Sequence, residues 1–173
     1  MKLDIIKEMM IQRGFQEHKI REGYMIGVRY NQTNECDEYI YIKIFNGKFE
    51  LNVVREFLWS KFTIDNDGNI LTKISGKNVV QLVIVCKSFQ NSHVKEFKEV
   101  SNHIQLIRSD FSNINIAKKA PQHQKVNGRE VRNKREIAII KGDDPNCIFY
   151  NFIKGDVIRV TRSDGDICYR LVR

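Results

Sequence analysis

The sequence predicts an α/β (α+β) chain in two parts: an N-terminal mixed-sheet domain over residues 1–118, then a basic linker and a small C-terminal α+β domain over residues 119–173. Three observations predict it. The run Val79 to Val85 is almost continuously apolar, the mark of a strand covered on both faces. On both sides of that run, apolar residues recur at helical spacing. Near the end, an Asp-Pro helix start precedes two β-branched runs joined by an Asp-Gly turn.

In the first part, Leu3, Ile5, Ile6, Met9 and Met10 repeat with helical period, predicting a helix from Asp4 to Phe15 that Gly14 stops. Tyr24 to Tyr30 and Glu38 to Phe45 alternate as strands, and Asn46-Gly47 marks a turn. Leu51, Val54, Phe57, Leu58 and Phe62 then form a helical stripe that holds Trp59. Such a stripe is core rather than a cofactor box. Asp65-Asn66-Asp67-Gly68-Asn69 opens like a calcium loop but lacks the later acidic ligand and is followed by Lys73, so a plain turn is expected. A helix from Ser92 to Asn102 and a strand from Ile104 to Ile107 complete this part.

In the second part, Asp144-Pro145 opens a short helix bearing Phe149 and Tyr150, with Phe152 beyond it. Lys154-Gly155-Asp156 turns the chain, and Val157 to Arg162 runs as a strand. Ser163-Asp164-Gly165-Asp166 supplies the Asp-Gly pair of a primed turn, in which both central residues take positive φ, and Ile167 to Val172 returns as the partner strand. A module this small buries little core, so it is expected to lean on a neighbour.

The net charge of +8 suggests a polyanionic neighbour, a statement about association rather than fold. No apolar run approaches the ~20 residues of a membrane span, and Met1-Lys2-Leu3-Asp4-Ile5 lacks a signal-peptide layout. The protein is therefore expected to stay inside a cell or a virion. Frequent Ile, Asn and Lys suit the AT-rich genome of a large DNA virus. Cys36, Cys86, Cys147 and Cys168 form no Cys-x-x-Cys pair, and His18, His93, His103 and His123 are equally scattered, so neither a zinc site nor any other metal or cofactor is expected. Cys86 and Cys168 lie in apolar strands and read as buried free thiols.

Two rival chemistries have places in the sequence. A metal-dependent nuclease sets a carboxylate and then a Glu-x-Lys pair on neighbouring strands. Lys87 is present, but Val85 stands where the metal-binding carboxylate belongs, and Asp37 or Glu38 supplies at most one acid. There is no Gly-rich phosphate loop, nucleophile elbow or His-Glu-x-x-His, so catalysis by this chain is not expected. A stand-alone DNA-binding protein would use the basic run of Lys118, Lys119, Lys125, Arg129, Arg132, Lys134, Arg135 and Lys141, in which acids are sparse (Glu130, Glu136). That run has no recognition helix or stacking platform, so any such binding would be non-specific.

The C-terminal pattern resembles the assembly module of the small subunit 5 shared by eukaryotic RNA polymerases I, II and III, a module that archaeal RNA polymerases carry as a small subunit of its own. The residues that fill the pattern are Asp144, Pro145, Phe149, Tyr150, Gly155, Val157, Ile158, Arg159, Arg162, Tyr169, Arg170, Leu171 and Val172. Two departures stand out: the family's Pro-containing turn is cut to Ser163-Asp164-Gly165-Asp166, and a helix-end Gly is replaced by Asn151, which tolerates left-handed φ. Upstream, Asn113-Ile114, Pro121-Gln122-His123 and Ile137 to Ile140 are similar to the interdomain segment. Asn78 to Cys86 looks like the central strand of the family's nuclease-like jaw, and Asp4 to Phe15 like its opening helix.

The resemblance implies a non-catalytic subunit that docks on the largest polymerase subunit and other subunits, beside downstream double-stranded DNA, with the Mg²⁺ chemistry left to the large subunits. It implies a subunit interface at Asp144, Pro145, Phe149, Tyr150, Gly155, Val157, Arg159, Arg162, Tyr169 and Arg170. Non-specific DNA contact is implied at Lys87, Ser88, Gln90, Asn91, Ser92 and Lys95, with Asn91 or Ser92 capping the helix in place of the family's Thr-Pro.

Overall fold

The computed structural model describes residues 3–21, 23–47, 49–113, 116–128, 131 and 136–173. The chain divides between Asn113 and Ile114, ahead of the boundary at 118 expected from the linker. The first unit runs α1 (Leu3–Gln12), β1 (Gln16–Arg21), β2 (Tyr24–Asn31), β3 (Cys36–Ile44), α2 (Leu51–Lys61), β4 (Phe62–Ile64), β5 (Ile70–Thr72), β6 (Asn78–Cys86), α3 (Asn91–Val100) and β7 (Ile104–Arg108), then a 3-10 turn at Ser109–Asn113. The second runs α4 (Ile116–Lys119), β8 (Gln122–Val126), β9 (Ala138–Ile140), α5 (Pro145–Tyr150), β10 (Val157–Thr161) and β11 (Ile167–Val172). With a seven-stranded and a four-stranded mixed sheet, the chain is α+β, as the sequence predicts.

Strand β6 organises the first unit. It pairs in parallel with β3 and β7 and antiparallel with β5, and every residue from Leu82 to Cys86 is buried. Alternation along the strand sends Leu82 and Ile84 to one face and Val83 and Val85 to the other, so both faces need cover. On the first face, Val54 and Leu58 of α2 and Phe97 of α3 pack with Tyr39, Leu82, Ile84, Ile104 and Leu106. The other face takes α1, whose Ile5, Ile6, Met9 and Met10 are buried. Burial of each such side chain contributes about 1.5–3 kcal/mol.

Helix α1 can seat only because Gly27 has no side chain. A Cβ there would lie 2.7 Å from Met10 Sδ, 2.8 Å from Ile40 Cγ2 and 3.0 Å from Phe15 Cβ. Just beyond the helix, Arg13 is 7% exposed and donates to Gln81 Oε1 and Gln105 Oε1, both at 2.9 Å. Burial pushes its guanidinium down to about 9. Arg29 lies 4.5 Å over the Phe15 ring and pairs at 2.7 Å with its cross-strand neighbour Glu38, which also accepts from Asn31 Nδ2 at 2.6 Å. Burial raises the Glu38 pKa, but the bonds from Asn31 and Arg29 and the charge of Arg29 outweigh it and hold the carboxyl below the usual range.

Several elements match their sequence expectation to within a few residues, among them α1, β3, β6, α3 and β7. Strand β1 has no counterpart in that expectation. All six of its residues are exposed, so it shows no apolar alternation, and it is held by backbone pairing to β2 with a bulge between Glu17 and Lys19. Its charges guard the sheet edge. The turn at Asp65 joins β4 to β5: Asp65 Oδ1 accepts from the N–H of Asp67 and of Asn69, and the side-chain and backbone bonds from Asn69 lead those that lower its pKa.

In the second unit the strand order is β8-β10-β11-β9, with β9 parallel to β11. Cys147 of α5 packs on Ile158, Val160 and Val172. Asn151 ends α5 in the left-handed conformation, with φ 57° and ψ 42°. The β10–β11 turn corrects the expected primed geometry. In the stretch Ser163 to Asp166 only Gly165 has positive φ. Gly165 N–H donates to Arg162 O and Arg162 N–H to Asp166 O, which makes a three-residue loop of an ordinary turn plus a left-handed glycine. Gly155, at φ 95°, serves backbone geometry, its N–H donating to Val172 O.

The packing under α1 and the Glu38 pair can each be tested by a single substitution. Gly27→Ala is expected to destabilise the protein by about 1–3 kcal/mol through overpacking under α1, read as a lower urea midpoint with unchanged slope. An unchanged midpoint would mean that α1 does not press on Gly27. For Glu38 the folded pKa is depressed, so its contribution is present above the unfolded carboxylate range and is lost as pH falls through the folded value. Glu38→Gln should cost about 1.5–3 kcal/mol at neutral pH, and its gap to wild type should narrow in urea titrations as pH falls below the ordinary carboxylate range.

Candidate functional site

The second unit gathers the chemically distinctive residues of the C-terminal pattern around one hollow of about 720 Å³. Asp144 caps α5: its Oδ1 accepts from Asn146 N–H at 2.8 Å and from Asn146 Nδ2 at 3.0 Å, while Pro145 takes the first helical position, where no N–H is needed. The cap fixes the helix start beside the ends of β8, β9 and β11. Pro121, His123, Ile140, Lys141, Arg162 and Arg170 are among the other lining residues, with the acid Asp143 beside them. Among the described residues, the buried Asn146 Oδ1 has no hydrogen-bond partner. Cys147 lies behind it, its thiol pushed up to about 11 by burial and then by Asp144, Asp143 and Asp156.

The pleat of the sheet divides the expected interface. Arg159 stands opposite Tyr169 and Gln124, whereas Arg170 stands opposite Ile158, so Arg159 and Tyr169 face one side of the sheet and Arg170 the other. Arg170 and Arg162 reach the hollow with Asp144 and Pro145. Arg159 is engaged within the sheet, donating to Gln124 Oε1 at 2.6 Å. Phe149 and Val157 correct the expectation: at 0% and 2% exposure they build the core and present nothing to a partner. Tyr150 is half-buried, stacked between His123 and Phe152. Sequence reasoning missed Asn146, because its solitary acceptor is defined only by how Asp144 uses its amide.

In the first unit the parallel strands β3, β6 and β7 align their C-terminal ends, the edge where open α/β sheets carry ligands. Lys87, Ser88, Gln90, Asn91, Ser92 and Lys95 are all exposed there. The helix cap differs from expectation. Gln90, not Asn91 or Ser92, is the cap of α3, its N–H donating to His93 Nδ1 at 3.4 Å while its Oε1 accepts from Ser92 Oγ at 3.5 Å. Arg108 is a further cation that sequence reasoning overlooked. It is exposed, stands in register with Cys86, and its guanidinium lies 5.7 Å over the Phe89 ring of the same loop.

The residues of the rival chemistries are placed differently. Val85 and Cys86 are fully buried, Glu38 is tied to Arg29 and Asn31, and burial pushes the Cys86 thiol up to about 11. His93 stacks on Phe49, and His103 Nδ1 and His123 Nδ1 sit 2.9 and 2.6 Å from the carbonyl oxygens of Val80 and Pro121. Among the described residues, no group of three or more His, Cys, Asp or Glu side chains is arranged to hold a metal, and no helix is long and apolar enough to cross a membrane. Of the basic run, Lys125 pairs with Asp156 at 2.7 Å. Ile114, Arg129, Glu130, Arg132, Lys134 and Arg135 lie outside the described residues.

No protein-family model matches the chain. It is 63% identical over 175 residues to the uncharacterized protein 092R of Invertebrate iridescent virus 3, across 100% of both chains. The chain therefore belongs to one family with that iridescent-virus protein.

Proposed function

We propose that the chain is a non-catalytic subunit of a multisubunit DNA-directed RNA polymerase, in a viral version. The unit of residues 114–173 docks on the largest subunit, and the sheet of residues 3–113 forms a jaw beside downstream duplex DNA. The observation that carries this reading is convergence. Pro121, His123, Asp144, Pro145, Arg162 and Arg170, which bear the family resemblance and are spread along the unit, line a single hollow. Two rigid guanidiniums lining the same hollow as the capped start of α5 offer the fixed donors from which interface hot spots are built. The iridescent-virus relative suits expression in a viral factory and packaging in the virion.

Docking is tested by co-purification with the largest polymerase subunit from infected cells. Arg162→Glu with Arg170→Glu should weaken that association about thirtyfold or more, in a chain that still melts cooperatively. Unchanged incorporation would remove the hollow from the interface. The DNA contact is tested separately on the assembled polymerase. Lys87→Ala with Arg108→Ala should reduce the salt slope of downstream-DNA retention by about 0.9 per lost phosphate contact. The loss should be equal on unrelated sequences, because phosphate contacts carry no base code.

A further inference from the structure

A cavity of about 310 Å³ opens in the first unit between the β2–β3 pair, the end of α2 and the turn after β5. Its walls are aromatic. Tyr41 meets Phe62 edge to face at 5.3 Å and 88°, and Phe57 meets Phe62 at 5.9 Å and 74°. Its charged and phenolic groups are all donors. Tyr24 and Tyr41 hydroxyls line it without a hydrogen-bond partner among the described residues, and Lys43 and Lys61 line it without a carboxylate in ion-pair reach among them. Lys43 Nζ hovers instead 5.4 and 5.6 Å from the rings of Phe45 and Phe57. Burial, then the neighbouring Tyr39 and Tyr24, raise the Tyr41 pKa, so its phenol remains a donor at neutral pH. No acid lines the cavity among the described residues. At its mouth, Ile74 is 96% exposed on the turn following β5.

We propose that this cavity receives a bulky apolar side chain carried on an acidic peptide segment of a partner protein. The apolar walls suit the side chain, and the two phenols and two ammoniums suit flanking carboxylates. Nucleic acid fits less well. Single-strand readers offer flat ring faces on which bases stack, whereas these rings meet edge to face, and the mouth carries a bare isoleucine rather than a stacking ring. A bare aliphatic beside a half-open aromatic pocket is the composition of a protein contact, in which an anchor residue enters and apolar neighbours exclude water. Occupancy of this cavity is independent of docking by residues 114–173.

The test uses the whole protein with isotope-labelled isoleucine methyl groups. The probe is a short synthetic peptide bearing one tryptophan flanked by glutamates; the controls are the same peptide with lysines for glutamates, and an oligothymidylate. The glutamate peptide should shift the Ile26 and Ile74 methyl signals saturably. Lys43→Gln with Lys61→Gln should weaken it about tenfold, as the loss of one half-buried and one exposed ion contact would. Ile74→Asp, on an exposed turn that leaves the core intact, should weaken it as well. No shift at these methyls, equal binding of the lysine peptide, or shifts produced by the oligothymidylate instead would each overturn the proposal.

Discussion

The burial of β6 on both faces is the constraint from which the rest of the first unit follows. A strand with Leu82, Val83, Ile84, Val85 and Cys86 all buried cannot sit at an edge or beneath a single layer. It needs parallel neighbours on both flanks, which β3 and β7 supply, and a helical layer on each side, which α1 on one face and α2 with α3 on the other supply. Gly27 belongs to the same requirement, since it lets α1 come close enough to cover Ile40 and Ile42. Parallel pairing then has a chemical consequence. It brings the C-terminal ends of β3, β6 and β7 to one edge, so Arg108 at the end of β7 and Lys87 just past the end of β6 are both exposed there.

What the sequence made legible was whatever depends on local period or local backbone chemistry. The apolar run of β6, the helical stripes of α1 and α2, and the Asp144-Pro145 start of α5 with its Asn151 end are local features, and they stand where their residues indicate, except that Phe62 of the α2 stripe opens β4. What it hid was set by partners distant in the chain. Strand β1 exists because β2 offers it hydrogen bonds, and its own six exposed residues carry no apolar signal. Arg13 reads as a surface charge until the fold brings Gln81 and Gln105 to it across 68 and 92 residues. The hairpin turn is an intermediate case: Asp164-Gly165 fits a primed turn, but the strands pair through Thr161 and Ile167, which leaves a loop long enough for only Gly165 to take positive φ.

At the candidate interface, strand alternation alone divides the residues that the C-terminal pattern groups together. Residues adjacent on a strand face opposite sides, so Tyr169 and Arg170 cannot serve one flat contact. The register assigns Arg170 to the side covered by α5, with Val160 and Ile158 beneath, and leaves Tyr169 with Arg159 and Gln124 on the other. A small sheet with one face filled by its own helix has its recognition chemistry at the margin of that helix, where caps and strand ends meet. That is where Asp144, Asn146, Arg162 and Arg170 lie.

Net charge is a poor guide to where positive potential acts, and this chain shows why. The formal +8 counts Arg13, which is buried on two amide oxygens and so cannot touch a ligand in solvent as an exposed cation can. Arg29, Arg55 and Lys125 add nothing to it, because Glu38, Glu96 and Asp156 cancel them in the sum and also in place. Cations that lack a carboxylate partner among the described residues include Lys87 with Arg108 at the parallel strand ends, Lys43 with Lys61 at the aromatic cavity, and Lys141, Arg162 and Arg170 around the small-unit hollow. Each group adjoins different neighbours: capped backbone and open solvent in the first, aromatic walls in the second, a helix cap in the third. A uniform cationic surface would bind any polyanion alike. Cations set beside such different neighbours can instead be engaged separately, because a partner must satisfy the groups next to the charge as well as the charge itself.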